Sequence, residues 1–213
     1  RTVRLSFVVL CGIVLLFYVG AEVAFGGYIF AYGVRVLHLS PHAARLLNSS
    51  FWGCLALGRL IAIPASIIFS PSLLLTATIV GSVASAILFR AAPSSSLSWA
   101  AACAFGLCMA PIFPSVMTHA ERVVTVSGQM TTFFVVSAAF GEMVLPLVVS
   151  LVFDTSSSAF PNAIVAACLL QLVGFAAAQH VARTLVLRDV THTPASTGGT
   201  GTGASGASCE LAT

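Results

Sequence analysis

The chain has 213 residues, 58% of them hydrophobic and 7% charged, and its nine basic residues are all arginine against six acidic ones. A soluble domain could not keep so apolar a surface in water, so the bilayer is the solvent this composition fits. The net charge of +3 is dispersed and forms no basic cluster of the kind that engages nucleic acid, so no nucleic-acid partner is expected.

The first apolar run covers residues 5–34, directly after Arg1 and Arg4. A signal peptide also begins with basic residues, but its apolar core ends after about 7–15 residues. This run is much longer and predicts a transmembrane helix. Because the chain opens on Arg1 rather than methionine, it is expected to be the latter part of a longer protein. Five further segments, 46–69, 73–89, 97–118, 129–153 and 159–187, reach or approach the length of about 20 residues that a spanning helix needs. Pro41, Pro71, Pro93, Asp154 with Ser156 to Ser158, and Pro161 mark the boundaries. The fold class expected is an all-α membrane protein with six transmembrane helices.

An even number of spans puts both ends on one side. Arg1, Arg4, Arg122, Arg183 and Arg188 lie on that side and outnumber Arg35, Arg45 and Arg90 opposite, which predicts cytoplasmic termini. Residues 1–187 form the membrane domain, and 188–213, rich in Thr, Ser, Gly and Ala, read as a disordered cytoplasmic tail. Asn48-Ser49-Ser50 matches a glycosylation sequon at the mouth of a helix. Five cysteines (Cys11, Cys54, Cys103, Cys108, Cys168) fall inside apolar runs, as reduced packing residues do.

Three charged residues interrupt the apolar spans: Glu22, Arg59 and Glu142. A charge at the bilayer centre costs about 2.5–3.5 kcal/mol even on lenient scales, so it faces a bundle interior or a water-filled path. Two readings stand side by side, an ion-pair network that holds helices together and a cavity whose charge changes with a substrate or coupling ion. One arginine cannot neutralise two carboxylates, so a proton, a sodium ion or a group on a partner must complete the balance.

Tyr18, Glu22, Phe25, Ile29 and Tyr32 recur at spacings of three and four and share one face of span one. Rings for C–H surfaces and polar groups for hydroxyls suit a polyol, while aromatic packing is the alternative. Gly26-Gly27 beside them marks a place where the helix can break or a ligand approach the backbone. Span four carries Pro111 and Pro114, each of which frees a carbonyl one turn earlier. Broken helices of this kind border transport sites. In span five, Ala138, Ala139 and Gly141 favour close helix approach. His38 and His42 lack acidic or cysteine company, so no metal site is expected, and no nucleophile elbow, P-loop or H-E-x-x-H motif supports an enzyme.

Laying Gly58-Arg59 on Gly141-Glu142 brings Pro64 close to Pro146 and superposes the later spans on the earlier ones. Three helices followed by three related helices build each half of a major facilitator transporter. Phe51-Trp52-Gly53, Leu57-Gly58-Arg59-Leu60 and Ala62-Ile63-Pro64 resemble the eighth helix of the sodium-dependent glucose transporter (Naglt) group. Tyr18-Val19-Gly20-Ala21-Glu22, Phe113-Pro114-Ser115 and Gly141-Glu142-Met143-Val144-Leu145 are similar to its seventh, tenth and eleventh. The resemblance implies the C-terminal six-helix half of a twelve-helix carrier in the major facilitator superfamily. It implies sodium-coupled uptake of glucose or another hexose by alternating access at a plasma membrane, with the N-terminal half as partner and no cofactor beyond a coupling sodium ion. Spans one and four would line the cavity, with Tyr18, Glu22, Phe25 and Tyr32 facing substrate or ion. Spans two and five, with Arg59 and Glu142, would lie against the other half. A proton-coupled or orphan permease of the superfamily and a non-transporting six-span scaffold are the alternatives.

Overall fold

The structure is a computed structural model describing residues 2–92, 94–125, 127–153, 155–156 and 158–192, with the side chains of residue 2 and of residues 186–192 excepted. The boundary residues Pro93, Asp154 and Ser157, and the expected tail from residue 193 onward, lie outside the described residues.

Seven helices occur among the described residues: α1 (Thr2–Arg35), α2 (Pro41–Ile68), α3 (Pro71–Ala91), α4 (Ser95–Met109), α5 (Ile112–Val123), α6 (Gly128–Phe153) and α7 (Ala159–His192). Helices α4 and α5 form one interrupted span, which leaves six segments long and apolar enough to cross a membrane. Helix α7 runs to His192, so the first residues assigned to the tail are helical.

The starts are written in Ser-Pro pairs. Ser40 and Ser70 accept hydrogen bonds from the amides of Ala43 (3.2 Å) and Leu73 (3.4 Å), and Pro41 and Pro71 stand in the first turn, where a missing N–H costs nothing. Asn48 lies inside α2 rather than at its mouth, and its Oδ1 is buried, so the sequon is not in an open loop.

Phe25 of α1 is the hub. Its ring lies 4.9 Å from Phe51 of α2, 5.0 Å from Phe89 of α3, 4.7 Å from Phe105 of α4 and 5.7 Å from Phe160 of α7. Offset and tilted rings at these separations attract beyond their buried area. Around this cluster α1 is the central helix, with 61% of its spanning stretch buried, whereas α2 and α6 each have 17%. The two outer helices bury one narrow stripe apiece: Ala44, Leu47, Phe51, Leu55 and Gly58 on α2, and Phe134, Ala138, Gly141 and Val149 on α6.

Glycines set the closest approaches. A Cβ on Gly106 would stand 2.6 Å from the Phe51 carbonyl oxygen, and one on Gly141 would run into the Leu16 backbone. The contacts of Gly12 with Phe133 and Ser137, and of Gly20 with Gly141 and Leu145, climb both helices in the same sense, so α1 and α6 run parallel.

Candidate functional site

Glu22 on α1 and Arg59 on α2 meet in mid-bundle, with the Arg59 Nη2 donating to Glu22 Oε1 at 3.2 Å. The two partners are unequally placed. The Glu22 side chain is 8% exposed and that of Arg59 59%. The second carboxylate oxygen, Glu22 Oε2, is buried and accepts no close hydrogen bond, although the Tyr18 hydroxyl, one helical turn earlier, faces the same carboxylate. A buried carboxylate with one free oxygen is an uncommon arrangement, because such an atom forfeits its hydration without replacement.

Arg59 also lines a pocket of about 370 Å³ with Tyr18, Ala62, Ala110, Phe113 and Pro114. A guanidinium carries five N–H donors. One is engaged by Glu22, which leaves others for a bound molecule. A second pocket of about 300 Å³ adjoins through Arg59, Ala62 and Pro114 and continues past Ser66, Ser115 and Thr118 to Arg122. The hydroxyls of Ser66 and Thr118 donate to the carbonyls of Ile63 (2.7 Å) and Pro114 (3.0 Å), so they turn lone pairs outward.

The wall of both pockets is the interruption between α4 and α5. Pro111 cannot bond to the Leu107 carbonyl, and the helix restarts with Pro111 as its cap. Pro114 then sits in the first turn of α5, where its lack of an N–H is harmless. Gly58 lies against this break: a Cβ there would stand 2.9 Å from the Leu107 carbonyl oxygen and 2.7 Å from the Ala110 Cβ. The residue that seats α2 on the break is thus the neighbour of the residue that charges the pocket.

The sequence-predicted residues separate. Tyr18, Glu22, Arg59, Pro111 and Pro114 gather at this centre. Phe25 and Tyr32 do not: Phe25 is fully buried in the phenylalanine cluster, and the Tyr32 ring packs 5.3 Å from both Phe89 and Phe160. The break expected at Gly26-Gly27 is absent, because α1 runs unbroken to Arg35. Gly26 instead makes room for the Trp52 ring, and Gly27 faces open space. Arg59 is the bonded partner of Glu22 and at the same time stays largely exposed on α2. Glu142 is exposed on α6, within electrostatic reach of Glu22, and has no ion-pair partner among the described residues. Sequence reasoning missed Ala62 and Phe113 as pocket walls. Phe113 carried a signal, as the ring directly before Pro114.

Six apolar spans around a charged, proline-broken centre define a multi-pass membrane protein. No family model matches the chain. It is 41% identical over 130 residues to sodium-dependent glucose transporter 1 of Danio rerio, covering 61% of this chain and 22% of that relative. Identity to the protein of the same name from Homo sapiens is 33% over 136 residues, 63% of this chain and 26% of the relative. A major facilitator superfamily domain-containing protein 4A from Danio rerio is 35% identical over 152 residues, 70% of this chain and 29% of the relative. The chain thus spans between 22% and 29% of the length of these relatives. The crystal structure of the major facilitator transporter FucP in the outward conformation superposes with a TM-score of 0.71 at 21% identity, over 87% of this chain and 44% of that one. The chain belongs to the major facilitator superfamily.

Proposed function

We propose that this chain is the C-terminal six-helix half of a secondary carrier that takes up glucose or a related hexose with sodium, by alternating access against an N-terminal six-helix half. The observation that carries the reading is the Arg59–Glu22 pair, whose guanidinium opens into a pocket beside a proline-broken helix. Phe113 offers a ring face for sugar C–H groups, while Arg59 offers N–H donors for sugar oxygens. Supporting it, relatives from fish and human carry glucose and sodium dependence in their names. The sparsely buried helices α2 and α6 suit a face that docks against the other half. Termini in the cytoplasm and residence in the plasma membrane follow from the arginine distribution and from uptake as the task.

A second reading has its own support. The relative named only as a domain-containing protein covers more of this chain than the glucose transporters do and specifies no solute. An orphan or proton-coupled permease is therefore the runner-up.

Radiolabelled glucose uptake by the protein in its full length, in sodium and in choline medium, separates these. Sodium-dependent uptake is the expected result. Uptake indifferent to sodium removes the coupling, and none above background removes the hexose.

A further inference from the structure

We propose that Glu142 is a docking charge, which receives a cationic side chain, an arginine or a lysine, from the N-terminal six-helix half. This rests on the reading of the chain as half of a carrier, and it says what the other half must bring to one point.

A carboxylate in the middle of a membrane helix can meet lipid, water, its own bundle or a second protein surface. Glu142 stands near the middle of α6 (Gly128–Phe153), at the level of the tight crossing where Gly141 packs on Leu16 and Gly20 packs on Gly141. Lipid is the costly choice, because a charge there loses its hydration. Water does not suit the surroundings: Val135, Val136, Phe140, Met143 and Leu147 are exposed on the same helix. Its own bundle does not take it either. Glu142 is exposed and has no ion-pair partner among the described residues, and the mid-span arginine, Arg59, bonds to Glu22 instead. A second protein surface remains.

The fold and the charge select the occupant. Of the spanning stretch of α6 only 17% is buried, the same share as on α2, so both helices present uncovered faces. The chain covers 44% of FucP, so a carrier of this fold has room for a second bundle of comparable size. An apolar surface that closes on Glu142 must carry the opposite sign there, since burying one unpaired carboxylate opposes docking and a matched pair fixes the register. Ala139, one turn earlier, is exposed and small, which lets another helix come close. Arginine and lysine suit the place because an apolar stem fits the hydrophobic surround while the charged tip meets the carboxylate.

A complementation scan in the full-length protein tests this. Glu142→Arg should lower the unfolding midpoint by about 5 °C or more, and Glu142→Gln should lower it less. In the Glu142→Arg background, each arginine and lysine inside the apolar spans of the N-terminal half is then replaced by glutamate, one at a time. One of these reversals should bring the midpoint back to within about 2 °C of the wild type, although the same reversal alone lowers it. Where Glu142→Arg does not accumulate, recovery of folded protein by that reversal is the same result. Wild-type midpoints in both Glu142 variants, N-terminal spans without arginine or lysine, or no restoring reversal in that half would each overturn the proposal. Restoration by a reversal within this chain would put the partner in its own bundle, and a wild-type dimer split by Glu142→Arg would put it on a second copy; either also overturns the proposal. Because unfolding is read rather than transport, failure of glucose uptake alone strikes the hexose reading and leaves this result standing.

Discussion

Gly58 and Gly141 perform the same task at two crossings. Gly58 lets α2 lie on the Leu107–Ala110 backbone of the interrupted span, and Gly141 lets α6 lie on Leu16 of α1. Each is followed by an exposed charged residue, Arg59 in one case and Glu142 in the other. The middle helix of each triplet thus crosses the first helix of the other triplet. The register that lays Gly58-Arg59 on Gly141-Glu142 therefore has a packing meaning, and it is the arrangement an inverted repeat produces.

The crossing at Gly141 should tolerate no side chain. A methyl group there meets main chain rather than a flexible side-chain tip, so the helices must separate. Overpacking of this kind costs about 1–3 kcal/mol, and Gly141→Ala should lower the thermal unfolding midpoint and the yield of folded protein. Gly27→Ala is the internal comparison. Its new methyl meets nothing within 4 Å, and alanine is the better helix former by about 1 kcal/mol. It should leave the midpoint unchanged or raise it.

Removing one member of the Glu22–Arg59 pair should be worse than removing both. Arg59→Ala leaves a buried carboxylate without its donor, and a single deletion of this type exceeds the value of the pair itself. The double variant Arg59→Ala with Glu22→Ala should recover part of the lost stability in a mutant cycle scored by unfolding midpoint. Glu22→Gln should impair uptake while surface expression stays near normal. Loss of expression with unchanged transport per molecule would make the carboxylate a structural group only.

Pro111 and Pro114 should differ. Pro111 caps α5 at the interruption, so Pro111→Ala restores the missing amide and lets α4 continue into α5. The expected outcome is a higher unfolding midpoint with slower uptake, the trade-off typical of a site stabilised away from its working shape. Pro114 lies in the first turn, where its ring opposes no hydrogen bond, and Pro114→Ala should change either quantity much less.

Much of this was legible in the sequence, for stated reasons. Span length and the Ser-Pro caps are local properties, and they put the helices within a few residues of their places at Ser40-Pro41 and Ser70-Pro71. The interruption was legible because Pro111 forbids a bond whatever its neighbours do. What failed were inferences from one helix about its surroundings. Gly26-Gly27 looked like a weak point, but a glycine in a membrane helix also serves the neighbour, and here the neighbour is Trp52. The shared face of Tyr18 and Phe25 gave a direction without saying what lay there, and the face leaves the pocket for the core within two turns. Which carboxylate Arg59 would choose depends on how α2 crosses α1, a tertiary fact that neither helix encodes alone.

Phe25 offers the sharpest check of that boundary between site and core. Its ring joins phenylalanines from four other helices and is fully buried, so it holds the bundle together rather than facing a solute. Phe25→Ala should cost about 3–5 kcal/mol, the usual range for emptying an aromatic site, and should show as a large loss of folded protein. Phe25→Leu keeps most of the apolar volume, so it should retain folding with a modest drop in midpoint and leave the KM for the transported solute unchanged. The opposite pattern, an unchanged midpoint with a clearly raised KM, would mean that the ring touches the solute and that the aromatic cluster opens during the transport cycle.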